Sequence, residues 1–256
     1  MSLNKVDINA INYIEIENSE SMDVTSTDMT YEFWLYVDEN ENILDVYKSF
    51  TIQKIDIEKG FILGLFPYSI NGTTNFSFLG MTIFINNGRS VTVGLNVFNN
   101  LFRLGAWNHV VFIKKRQSET VNIIVNNVLQ NTTTRRINGG IGLNDYNTTS
   151  KIEIAKHRDF NKFNCGIADF RIYTREISLT EINYSYNLGN GNNAQNTNSL
   201  ILDIKFNETS GDFDRGRVGS YDARLIGNNI RYFNSSNNSF IDYDHTQLNG
   251  GSWFRN

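Results

Sequence analysis

From Met29 to Val37 every second residue is large and apolar, so that Tyr31, Phe33, Leu35 and Val37 fall on one face of an extended strand. No helix can gather that pattern onto one side. Tyr13-Ile14-Glu15-Ile16 repeats the alternation, and Phe76 to Ile85, Val91 to Phe98, His109 to Lys115, Val121 to Leu129, Lys151 to Ala155 and Ile167 to Tyr173 are further short runs rich in β-branched and aromatic residues. Two more runs lie between Val46 and Phe66, broken at Glu58-Lys59-Gly60. The segments between them carry turn chemistry: a polar loop with Asn71-Gly72 after Pro67, Asn86-Asn87-Gly88, and Arg116-Gln117-Ser118-Glu119. Many short strands at near-regular spacing imply an all-β sandwich.

A chain of 256 residues can bury one full core of this kind without splitting in two. One segment reads as helix. Ser178-Leu179-Thr180-Glu181 has capping-box spacing, Leu179, Ile182 and Tyr186 share a helical face, and Gly189 suits the left-handed closing position. A short helix is therefore expected near residues 178–188, followed by a polar linker from Asn190 to Ser199 and a strand from Leu200 to Phe206. The expected organisation is one domain over residues 1–230 and a C-terminal tail, partly loop, over 231–256, with Phe240, Tyr243, Trp253 and Phe254 implying that part of the tail docks.

The net charge of -4 argues against nucleic acid as a partner, because backbone binding needs a concentrated basic face. Lys114-Lys115-Arg116 and Arg135-Arg136 are the local exceptions, and both read as solvated hairpin ends. Cys165 is the single cysteine, so no intramolecular disulfide supports the fold. Residues 1–20 lack a basic start followed by an apolar run, so no signal peptide is expected, and no apolar stretch is long enough for membrane insertion. A protein of this kind working outside a cell would get there on a virus particle, by a non-classical route or within a longer chain.

Three segments resemble the laminin G-like branch of the concanavalin A-like lectin and glucanase superfamily. Tyr31-Glu32-Phe33-Trp34-Leu35-Tyr36-Val37 is similar to that family's strand with a Trp among core-facing aromatics. Trp107-Asn108-His109-Val110-Val111 with Val121 to Asn127 looks like its paired strands closed by an Asn-Gly turn, with Asn127 in place of the Gly. Gly166 to Ser178, with Glu181-Ile182, matches its last long strand and the helix that follows. The resemblance implies a two-sheet antiparallel jelly roll in which Trp34, Trp107 and His109 pack or pin strands.

Some members of that superfamily hydrolyse β-glucans with three carboxylates alternating along one strand. Lys54-Ile55-Asp56-Ile57-Glu58 is the nearest match here, and it has Lys54 at the nucleophile position, so no enzyme activity is expected. The resemblance also implies calcium at one rim, for which Asp38, Glu39 and Glu41 in one loop and Asp145 in another supply hard oxygen ligands. For a ligand, rim loops must offer aromatic faces and amides or charges; Tyr68, Asn71, Asn144, Asp145, Tyr146, His157 and Arg158 are the candidates.

The expected function is a non-catalytic module that binds carbohydrate or a cell-surface receptor, at an extracellular surface or on a virus or phage particle, or within an adhesin or toxin. Two alternatives stand beside it: a structural assembly or spacer domain that packs against copies of itself or other particle proteins, marked by an exposed apolar patch, and a glycoside hydrolase.

Overall fold

The computed structural model describes residues 5–8, 13–18, 22, 27–43, 45, 47–56, 59–70, 74–85, 89–96, 102–137, 148–156, 161–204, 223–226, 231–234 and 239–242. Its elements begin with β1 (Lys5–Ile8), β2 (Tyr13–Ile16), β3 (Met29–Val37), β4 (Lys48–Ile55), β5 (Gly60–Ile70), β6 (Thr74–Ile85), β7 (Arg89–Asn96), β8 (Trp107–Lys115) and β9 (Thr120–Val125). They continue with β10 (Val128–Leu129), β11 (Thr133–Ile137), β12 (Ile152–Ile154), β13 (Asn161–Lys162) and β14 (Cys165–Tyr173), helix α1 (Leu179–Tyr186), a 3₁₀ turn (Asn187–Gly189), β15 (Leu200–Ile204), β16 (Ala223–Ile226), β17 (Arg231–Asn234) and β18 (Ser239–Asp242).

The strands form two sheets. Sheet I runs β10-β9-β8-β3-β14-β1-β17-β18, with β15 also paired to β14; sheet II runs β11-β7-β6-β5-β4-β12-β2-β16, with β13 beside β4. All pairs are antiparallel except the short β13–β4 contact. This is the expected jelly-roll sandwich. Alternation supplies its core: Tyr31, Phe33 and Leu35 of β3 meet Phe50 and Ile52 of β4, Leu63 and Leu65 of β5 and Phe112 of β8, all at most 1% exposed. Phe33 is central, with its ring 6.1 Å from Phe50, 6.2 Å from Phe112 and 6.4 Å from Phe170.

Turn chemistry explains two local features. The hairpin between β9 and β10 closes through Asn126 and Asn127 at φ 50° and 65°, the two left-handed positions of a type I′ turn, so Asn substitutes for Gly where the backbone demands it. Strand β5 continues through Pro67 to Ile70, further than the sequence implied. Pairing with β4 ends at Phe50↔Leu65, so Pro67 lies where one side of β5 no longer needs a donor. Asn86, Asn87 and Gly88 are outside the described residues; the flanking pair Ile85↔Arg89 closes β6 against β7.

Four expectations are corrected. The segment after about residue 231, expected as a tail that is partly loop, contains β17 and β18, and β17 extends sheet I by pairing with β1; Tyr243, Trp253 and Phe254 are outside the described residues. Helix α1 has the expected capping box, but it ends at Asn187, which takes the left-handed conformation two residues before Gly189. Its buried residues are Ile182 and Ser185, while Leu179 is 63% exposed, because the helix lies flat on sheet I and turns its N-terminal corner outward. Lys114 is not at a solvated hairpin end: it alternates with Lys115 and so faces the core side of β8, fully buried.

Burial pushes the Lys114 ammonium down to about 8 from its usual 10.5. Its folded pKa lies below the unfolded one, so the native state carries a penalty at neutral pH that is relieved as pH rises from about 8 to 10.5. Lys114→Met is therefore expected to raise the neutral-pH melting temperature by about 2–4 °C, the shift of roughly 1 kcal/mol in a chain this long. It should also flatten the gain in stability between pH 8 and 10.5. Thermal melts at pH 7 and pH 10 check both, and a variant that melts lower at pH 7 would contradict the assignment.

Candidate functional site: a rim of the sandwich

Strand direction decides which loops share an end. The C-terminus of β3 at Val37 pairs with the N-terminus of β14 at Cys165, and Tyr36 pairs with Trp107 at the start of β8. The start of β4 is at this same end, joined to β3 by residues 38–47, as are Ile70 and Thr74, the paired ends of β5 and β6. The end of β12 completes it, since Ala155 N–H donates to Thr51 C=O near the start of β4. Asp38, Glu39 and Glu41 therefore share a rim with the backbone of Tyr68 and with the strand ends bordering Asn71, His157 and Arg158. The side chain of Tyr68, and Asn71, His157 and Arg158 themselves, lie outside the described residues.

Asn144, Asp145 and Tyr146 also lie outside them. The described residues bordering that segment, Ile137 at the end of β11 and Thr148 before β12, are at the opposite end, where Thr148 Oγ1 donates to Asp56 in the β4–β5 turn. The described residues that border the two groups of candidates thus lie at opposite ends of the sandwich.

The 38–47 loop is braced by its own polar groups. Asp38 Oδ1 accepts from Asn40 N and Nδ2 at 2.8 and 2.9 Å, and Asp38 Oδ2 accepts from Asn164 Nδ2 at 3.3 Å. Glu41 Oε1 accepts from Asn164 N at 2.9 Å, while Glu41 Oε2 takes the Lys48 ammonium at 2.6 Å. Asp45 Oδ1 accepts from Tyr47 N, an Asx turn that fixes the last corner. Each oxygen of Asp38 and Glu41 thus has a protein donor, one of them a cation, while Asp145, expected with them as a calcium ligand, lies outside the described residues. Among the described residues no three His, Cys, Asp or Glu side chains gather as metal ligands.

The braced loop leaves one ring in solvent. Tyr47 is 71% exposed, and Glu39, Asn40 and Asn42 are exposed beside it in sequence. At the same end Tyr36 and Trp107, half-buried, meet across β3 and β8 as a tilted ring pair with centroids 5.5 Å apart. Tyr47 was not among the sequence candidates; its only signal was an aromatic directly after the acidic loop. Trp34 and His109 are buried, their rings tilted against each other with centroids 4.9 Å apart, and pack beneath α1 as strand-pinning residues. Asn108 donates to Arg103 and Ala106 carbonyls and accepts from Arg103 N, holding the loop before β8.

Of the hydrolase-like segment, residues 54–56 are described. Strand β4 ends at Ile55; Lys54 is buried and donates to Thr148 C=O, and Asp56 caps a turn by accepting from Lys59 N at 2.7 Å. Glu58 lies outside the described residues.

Residues 9–183 match a laminin G family model of the concanavalin A-like lectin/glucanases superfamily. No curated protein matches the sequence. Among solved structures the fold is similar to a candidate carbohydrate-binding protein from Bacteroides ovatus, with TM-score 0.56 and 14% identity over 91% of this chain and 60% of that one. It is similar also to the botulinum neurotoxin serotype C1 binding domain, with TM-score 0.50 and 18% identity over 82% of this chain and 51% of that one. The chain thus spans about half to three fifths of the length of these proteins. No helix among the described residues is long and apolar enough to cross a membrane.

Proposed function

Because this chain belongs to the concanavalin A-like lectin/glucanases superfamily, we propose that it is a non-catalytic recognition module that binds a carbohydrate or a cell-surface receptor through the rim around the 38–47 loop. The observation that carries this reading is the exposed ring of Tyr47 on a loop whose carboxylates and backbone are already fixed by internal hydrogen bonds. A sugar needs a flat apolar face and nearby amides, and a pre-organised loop supplies them without an ordering cost on binding. The names of the two structural neighbours, a carbohydrate-binding protein and a toxin binding domain, support the same reading. Such a module acts at an extracellular surface or on a particle.

The test is a glycan array and a panel of displayed receptor ectodomains, probed with the whole chain in calcium and in chelator. Specific binding is expected, unchanged by chelation. Tyr47→Ala is expected to weaken it about tenfold, or about 1.4 kcal/mol, with an unaltered melting temperature. Silence on both panels, or full affinity in the Tyr47 variant, would overturn the assignment to this rim.

A further inference from the structure

Among the described residues six large hydrophobic side chains are strongly exposed, and five of them cluster in two neighbouring elements. Leu179 (63%), Tyr184 (45%) and Leu188 (87%) belong to α1 and the turn that ends it; Val128 (48%) and Leu129 (56%) form β10. The two elements are tied together by Asn127 Nδ2, which donates to Asn183 Oδ1 at 2.9 Å. Helix α1 packs Ile182 and Ser185 on sheet I, so its opposite side, with Tyr184, stands up as a ridge. Beside its N-terminus opens a cleft of about 540 Å³. Buried Ile113, Ile124 and Ile177 form its floor, and exposed Leu129 and Leu179 form its lips.

A contiguous exposed apolar surface marks a contact site. The chemistry of this one favours a second copy of the same chain. A ridge and a cleft lie side by side on one face, and about a twofold axis each copy offers its ridge to the other's cleft. The charges point the same way. The chain carries a net charge of -4, so two copies repel in general. Around the cleft, however, Lys115 pairs with Glu176 at 2.7 Å and Arg175 with Glu181, two cations against two anions. A balanced rim allows face-to-face approach without stacking like charges, and Lys115 and Glu176, with side chains 31% and 41% exposed, can exchange partners across the axis. The cleft itself has no aromatic lining residue on which a sugar could stack.

We propose that this face is the contact through which two copies of the chain associate as an isologous dimer, with Tyr184 and Leu188 of each copy seated against the cleft of the other. The Tyr47 rim lies at the other end of sheet I from Lys115 and Arg175, so the dimer presents two copies of it. The proposal stands whether or not that rim binds a glycan.

Sedimentation velocity of the whole chain across concentrations tests it. A mass twice that of the chain is expected, with half-association at or below about 100 µM. Leu188→Asp and Leu129→Asp alter exposed positions, so both should keep the wild-type melting temperature while weakening association at least tenfold. A wild-type chain that stays monomeric at several hundred micromolar overturns the proposal, as does a dimer that survives both substitutions. A monomer whose binding to a receptor ectodomain is lost in Leu188→Asp would overturn it too, and would assign this face to that receptor instead.

Discussion

Replacing Arg171 with leucine is expected to lower the unfolding free energy by about 3–5 kcal/mol, the cost of leaving buried charges without their counter-ion. The guanidinium is fully buried between sheet I and the segment that carries α1. Nε donates to Asp203 at 3.1 Å, Nη1 to Glu32 at 3.3 Å and Nη2 to Asp169 at 3.4 Å and to the Asn192 carbonyl at 2.7 Å, which uses the planar fork of arginine almost completely. Glu32 also accepts from His109 Nε2 at 2.8 Å and from the Tyr173 hydroxyl at 3.3 Å. Burial pushes the Glu32 carboxyl up, but Arg171 and the His109 hydrogen bond outweigh it and hold its pKa at about 2. Burial and the adjacent Glu32 charge raise the Tyr173 hydroxyl, so it stays a donor.

The pH dependence follows with its sign. The folded pKa of Glu32 lies below the ordinary 4.5, so its contribution is complete above about pH 4.5 and fades as pH falls toward 2. Glu181 behaves likewise: the Arg175 hydrogen bonds, against burial, hold it at about 2, although its exposure makes its share smaller. In the Arg171 variant Glu32 has lost its main partner, so the stability gap to wild type should be widest at neutral pH and narrow between pH 4.5 and 2. Urea titrations at pH 7 and pH 3 measure it. A deficit below about 1 kcal/mol at neutral pH would mean that the network contributes little beyond its own desolvation cost.

Gly64→Ala is the second substitution expected to be severe, at roughly 3 kcal/mol or more. Gly64 sits in β5 at φ 133°, a conformation essentially reserved for glycine, and an added Cβ would lie 2.3 Å from the Phe50 carbonyl oxygen of β4. Backbone on both sides is locked in the sheet, so nothing can give way. Gly105 offers the contrast. It too has a positive φ, of 68°, but an added Cβ meets only Glu39, its Cβ at 3.0 Å and Oε2 at 3.3 Å, on an exposed loop position that needs to give by only a few tenths of an ångström. Gly105→Ala should therefore cost about 1–2 kcal/mol, the left-handed penalty alone. Equal losses in the two variants, read from denaturant midpoints, would show that the clash at Gly64 is relieved by a shift of β4.

Alternation in β3, the Ser178–Glu181 capping box and the Asn126-Asn127 turn were legible because each is a rule about residues a few positions apart. They are local, and the chain obeys them wherever it is placed. The same reading stopped short at β17 and β18, where the strands are brief and β17 pairs with β1, more than two hundred residues away in sequence. It named Asp38, Glu39 and Glu41 as one loop, yet could not know that Asn164 and Lys48 would occupy their oxygens. It passed over Tyr47, since exposure is a property of the packed molecule.

The sequence by itself determined the class of fold, the inward face of each strand and the site of the single helix, because hydrophobic period and cap spacing act over one or two turns of chain. Only the tertiary structure decided what becomes of the outward face. Glu32, Arg171 and Asp203 alternate with core residues as solvated strand positions do, and were they solvated they would need no explanation. The segment carrying α1 folds over them and excludes water, and a charge without water must find a partner. Its partners come from positions 32, 169, 192 and 203, which no local rule connects and which only the pairing of β3, β14 and β15 brings within hydrogen-bond reach of Arg171.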